Sequence, residues 1–150
     1  MQSQADTPAI AMQVTRGVVM ASIQVDLTDE VLFRFRDDLL RLISDTGSHG
    51  VIFDLSGLTM LDSHEFAGLR RLMTMSGIMG ADPVLVGLRP GVVSALIESG
   101  ADVDDVRAAA SLDAAFALLE KPSELAPAQP EMPGEVQPGS SPPAGDMSDG

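Results

Sequence analysis

Four consecutive polar residues, Asp62-Ser63-His64-Glu65, place a hydroxyl, an imidazole and two carboxylates together near the middle of a 150-residue chain. Serine beside histidine and an acid is the raw material of nucleophilic hydrolysis, in which a base must reach the hydroxyl and an acid must orient the base. The spacing argues against that chemistry. Neighbouring positions on a helix point about 100° apart, so Ser63 and His64 do not form a nucleophile–base pair. His49, the other histidine, lies in the turn-like "TGSHG", where exposure to solvent is expected. The absence of cysteine removes thiolate nucleophiles, thiolate metal sites and disulfides, and suits a reducing compartment. No glycine-rich phosphate loop of the dinucleotide-binding or Walker type occurs, and Asp54, Asp62 and Glu65 lack metal-ligand spacing. The residues call for no cofactor and no metal, and the expectation is a protein that is not an enzyme.

The same four residues fit the start of a helix. Asp62 can accept from the backbone amide three positions on, and Glu65 can reach back to the amide of Asp62, as in an acidic capping box. If Asp62 is the N-cap, Ser63 is the first helical residue and its hydroxyl is not needed. If Ser63 caps instead, its oxygen is partly engaged by backbone amides. In both cases the helix dipole and free N–H groups favour an anion there. A phosphate on Ser63 would add about −1.5 to −2 charge beside Asp62 and Glu65, repelling an acidic partner and disrupting a close-packed apolar one. Cap and switch both remain open on position alone.

The elements that must position this stretch read as alternating strands and helices. A short strand near Ile10–Val14 precedes an Arg16-Gly17 turn and an apolar, β-branched run, Val18–Leu27. Asp26, Thr28 and Asp29 offer N-cap oxygens for an amphipathic helix over Asp29–Thr46. Its Val31, Leu32, Phe35, Leu39, Leu42 and Ile43 share one stripe, with Arg34, Arg36, Asp37, Asp38 and Arg41 mostly opposite. Val51–Leu55 is a buried strand, followed by a helix over Ser63–Met79 and a third buried strand, Pro83–Leu88. Pro90 suits the first turn of a helix reaching Ser99. A weak strand near Val106–Ala109 and a helix over Leu112–Glu120 complete the pattern. Short apolar strands separated by amphipathic helices predict an α/β fold with crossover connections. Met60, Met73, Met75 and Met79 either fill gaps in a core poor in aromatics or present an adaptable binding surface. Apolar residues cover more of the helix after Ser63 than one core-facing stripe requires.

Composition bounds the rest. A 45% hydrophobic content with 3% aromatics, all phenylalanine, predicts one domain with an aliphatic core. The first residues show no signal peptide, and no apolar run approaches the roughly 20 residues of a membrane span, so a soluble cytoplasmic protein is expected. A net charge of −13 disfavours nucleic acid and anionic membranes as partners. Residues 122–150 hold seven of the ten prolines and five acids without a base, and read as a disordered tail after a domain spanning 1–121. Setting those five aside from the 22 acids leaves 17 against 9 bases, a net of −8 for residues 1–121.

The order of elements, with "VIFDLSGLTMLDS" at residues 51–63, resembles a STAS domain, the fold of the anti-sigma-factor antagonists. Further stretches, "VVMASIQVDLTDE", "FRDDLLRLISDTGSHGVIFDLSGLTMLDS", "LMTMSGIMGADPVLVGLRPGVVSALIESG" and "LDAAFALLE", resemble the small RsbS-type proteins of the stressosome over about residues 18–120. "SIQ" at Ser22–Gln24, Thr46–Val51 and Met75–Ala81 carry distributed matches. The resemblance implies a mostly parallel or mixed sheet of four to five strands with about four helices. It implies a non-enzymatic scaffold that co-assembles with RsbR-type paralogues and holds an RsbT-type serine kinase of the GHKL fold. That kinase phosphorylates the serine at the strand–helix join and is thereby released, and a PP2C-type phosphatase resets the site. By position the serine is Ser63, with Thr59, Asp62, His64 and Glu65 around it as partner contacts. A plain anti-sigma-factor antagonist, regulated through the same serine, is the alternative. His64 and Glu65 stand where the family pattern leads to apolar residues, and the Pro-rich tail has no counterpart in it.

Overall fold

The computed structural model describes residues 7–120; the proposed tail, residues 122–150, lies outside them. Among the described residues a two-strand hairpin is followed by alternating helices and strands: β1 Ala11–Thr15, β2 Val18–Ser22, α1 Asp29–Thr46, β3 Gly50–Asp54, α2 Ser63–Ile78, β4 Asp82–Val86, α3 Pro90–Glu98, β5 Ala108–Ala109 and α4 Leu112–Glu120. They form one mixed sheet in the order β1-β2-β3-β4-β5, with β1 antiparallel to β2 and every other neighbour parallel. Arg16 and Gly17 both take positive φ, the backbone that a two-residue hairpin loop requires.

Because each parallel strand is added on the same side of its predecessor, the crossover helices α1, α2 and α3 gather on one face. The larger core lies between them and the sheet, built from Val19, Val51, Phe53 and Leu85 against Phe35, Leu39, Leu69 and Leu96. On the other face, Ala115, Phe116 and Leu119 of α4 cover Val18, Ile52, Val84 and Val86. Burial on both faces explains why β3 reads as a continuous apolar run rather than an alternating one.

The expected stripe on α1 is the one that packs, with Val31, Leu32, Phe35, Leu39 and Ile43 buried and Leu42 partly so. Thr28 is its N-cap, accepting from the Val31 amide at 3.2 Å, and Gly47 closes it in the left-handed conformation. Strand β2 is shorter than the apolar run Val18–Leu27. Its register pairs Ser22 with Asp54, the last residue of β3, so beyond Ile23 no partner remains. Ile23 and Leu27 are apolar because they enter the core from a loop.

Phe35 is 1% exposed and meets the Phe53 ring edge-on at 6.0 Å, whereas Phe33 is 57% exposed with the Arg36 guanidinium over its ring. Two alanine substitutions two positions apart should therefore diverge in urea unfolding. Phe35→Ala is expected to cost about 3–5 kcal/mol. Phe33→Ala should stay within about 1 kcal/mol of the parent.

Candidate functional site at the start of helix α2

Residues 55–62 carry the chain from β3 into α2 at the C-terminal ends of the parallel strands. Leu55, Leu58 and Leu61 are buried and anchor the loop from below, while Thr59 and Met60 are exposed. Backbone bonds fix its first turn: the Leu55 amide donates to Val86 at 2.9 Å, the Leu58 amide to Leu55 at 3.0 Å and the Ser56 amide to the Asp54 carboxylate at 3.0 Å. The Arg89 guanidinium donates to the Ser56 carbonyl from the head of α3. Gly87 permits this approach, since at φ +84° a Cβ there would lie 2.7 Å from the Ser56 nitrogen.

The helix start itself resolves the ambiguity over its cap. Asp62, in extended backbone, is the N-cap; its carboxylate accepts from the Glu65 amide at 2.7 Å, and the Glu65 carboxylate accepts from the Asp62 amide at 2.9 Å. Both halves of the capping box are made, and Ser63 occupies the first helical position. Its side chain is exposed, and among the described residues its hydroxyl has no hydrogen-bond partner.

His64, at the second helical position, points to α1. Its Nε2 lies 3.0 Å from Oδ1 of Asp29, the first residue of that helix and 35 positions away in sequence. Both side chains are largely exposed. The hydrogen bond to Asp29, then the charge of Asp29, raises the His64 pKa above its ordinary value; Asp62 adds to this, while partial desolvation and Arg71 oppose it. The acidic neighbourhood thus favours a cation one position from Ser63.

Ser63 also opens one end of a groove of about 610 Å³ that runs along α2, past Ala67, Arg70, Arg71 and Met75, to Ala101 and Asp102. Arg70 donates to the Asp102 carboxylate and to the Asp104 carbonyl, both at 3.1 Å, tying α2 to the segment after α3. Of the residues singled out in sequence, Asp62 and Glu65 meet each other, His64 meets Asp29, and Thr59 sits apart on the loop. His49 lies before β3, at the opposite end of the strand from Ser63. Asp29 reads in sequence only as a possible cap of α1, and neither it nor the two arginines is picked out there as part of this site. Arg70 was findable, because position i+7 returns to the same helix face. The methionines divide: Met73 is buried, Met60 is exposed, and Ile78 and Met79 are exposed at the end of α2. Among the described residues no cluster suited to a metal ion occurs, and no helix is long and apolar enough to cross a membrane.

Asp62→Ala should destabilise the fold by about 1 kcal/mol through loss of the cap, measured by urea unfolding. Ser63→Ala should leave stability within about 0.5 kcal/mol, since no bond is lost. Asp29→Asn should bring the His64 pKa down toward the ordinary imidazole value, read from its ring protons by NMR. With a folded pKa above the unfolded one, the stabilising effect of the pair is complete below the unfolded pKa and disappears as pH rises through the folded pKa.

Three solved structures share the fold. A serine-to-glutamate variant of RsbS from Moorella thermoacetica aligns with a TM-score of 0.63 and 23% identity, over 73% of this chain and 93% of that one. A chain from the structure of the stressosome, described as a signal integration and transduction hub, aligns at 0.62 and 22%, over 73% and 95%. Part of the murine Solute Carrier 26 family member A9 anion transporter aligns at 0.55 and 22%, over 71% of this chain and 18% of the transporter. No curated protein matches the sequence. One architecture in a signalling hub and in a transporter means that function must be argued from the site. The family model described as the STAS domain matches residues 9–115, and the chain belongs to that family.

Proposed function

We propose that this protein is a non-enzymatic STAS scaffold of a stressosome-type assembly, which sequesters an RsbT-type serine kinase and releases it once Ser63 is phosphorylated. The observation that carries this reading is the free hydroxyl of Ser63. It stands exposed at the first position of α2 while Asp62 and Glu65 serve the cap. In the modification step the γ-phosphoryl group of ATP bonds to Ser63 Oγ, its bond to ADP breaks, and the hydroxyl proton leaves. The resulting anion lies at a helix N-terminus, which favours it locally, and beside two carboxylates, which makes the surface repel what bound before. Thr59, Asp62, His64 and Glu65 are the proposed contacts around the switch. A PP2C-type phosphatase would restore the hydroxyl, and RsbR-type paralogues would share the assembly. Residues 1–121 are the proposed domain and 122–150 an appended tail.

Incubation with ATP and a switch kinase of this class should add one phosphate, mapped to Ser63 by mass spectrometry and lost in Ser63→Ala. Equal labelling of Ser63→Ala would remove the site assignment. Mixed with an RsbR-type paralogue, the protein should elute as a large complex. A strictly monomeric or dimeric species that binds only one anti-sigma kinase would instead favour the stand-alone antagonist.

A further inference from the structure

Resting on the reading of Ser63 as the phosphoacceptor, we propose that His64 is the charge-matching residue of the modified site: a phosphate on Ser63 is accompanied by a proton on His64, with Asp29 holding the imidazolium from across the α1–α2 interface.

The geometry sets this out. His64 is the residue next to Ser63, and its Nε2 is already 3.0 Å from a carboxylate oxygen of Asp29. The charged groups that act on it are Asp29 on α1, and Asp62 and Arg71 along α2; the two acids favour the proton and the arginine opposes it. Glu65 is turned to the Asp62 amide. Left alone, a cation in the first turn of a helix is opposed by the helix dipole. Asp29 offsets that opposition in the unmodified protein, and a phosphate at the preceding residue strengthens the offset. No direct bond between phosphate and imidazole is needed. Side chains at adjacent helical positions diverge, yet two negative charges one residue away act through space. The phosphoryl group replaces the Ser63 hydroxyl proton, and the proton taken up by His64 comes from solvent.

Because His64 and Asp29 are exposed, their contact is screened and does not hold the helices together. That task belongs to the buried packing of α1 against α2, including Leu32 over Gly68. The pair is therefore free to respond to charge. By linkage the effect is reciprocal: if phosphorylation raises the affinity of His64 for a proton, protonation of His64 stabilises the phosphate dianion equally. Phosphorylation near neutral pH then changes the charge of the surface by less than the phosphate alone would.

The test needs no kinase. Phosphoserine is installed at position 63 of the full chain during translation, and the His64 ring is titrated by NMR beside the unmodified protein, with His49 as internal reference. The phosphorylated form should bind the His64 proton roughly three- to ten-fold more tightly, as a dianion nearby in high dielectric predicts. His49 should not move, and Asp29→Asn should weaken His64 protonation in both forms. Phosphorus NMR should show the phosphoserine titrating at lower pH than in the His64→Gln variant. The proposal is overturned if His64 titrates identically with and without the phosphate, or if His64→Gln leaves the phosphate titration unchanged. A kinase that fails to modify Ser63 would overturn the proposed function instead, a result distinct from either of these.

Discussion

The reciprocal bond pair between Asp62 and Glu65 is the constraint on which the site depends. A helix that begins directly after a strand–loop connection leaves backbone amides to be satisfied, and a serine at such a join is ordinarily recruited for that purpose. Here the two carboxylates complete the task, and Ser63 is left at the first helical position with its hydroxyl unused. On the proposed function, modification of Ser63 leaves both bonds that start α2 in place. The cap and the proposed switch fall to different side chains one position apart.

The rest of the molecule holds that helix start in place. Parallel strands progressing in one direction bring α1 and α2 side by side on the same face, with the loop over the C-terminal ends of β3 and β4. Three buried leucines, the Arg89 bond to Ser56 and the close approach at Gly87 fix the loop. The topology also explains why Asp29 is at hand: the first turn of α1 lies next to the first turn of α2, so one carboxylate reaches one imidazole. His64 and Glu65 each have a polar partner, the Asp29 carboxylate and the Asp62 amide. The groove leaving Ser63 along α2, with Arg70 and Arg71 in its lining, offers local positive charge on an otherwise acidic chain.

Local features were legible in the sequence, and long-range ones were not. The α1 stripe was readable because one buried face imposes a 3.6-residue period, and the capping box because its partners are three residues apart. Strand β2 looked longer than it is, since apolarity reports burial rather than pairing, and pairing stops where β3 stops. Thr28 could not be chosen over Asp26 and Asp29 without the backbone that places one oxygen on the Val31 amide. His64 had no explanation in its neighbours because its partner, Asp29, is brought there by the packing of two helices. The methionines divide in a way their spacing did not decide: Met73 belongs to the core, whereas Met60 and Met79 face solvent.

On the proposed function, the state of Ser63, and not the integrity of α2, determines whether the kinase is held. The most direct test is the affinity of an RsbT-type kinase for the full chain with serine or with phosphoserine at position 63, by calorimetry, with helix content followed by circular dichroism. Firm binding to the serine form is expected, with a loss of at least ten-fold in affinity with phosphoserine, corresponding to about 1.4 kcal/mol, and unchanged helix content. Equal affinity for the two forms, or loss of binding accompanied by melting of the helix, would contradict it.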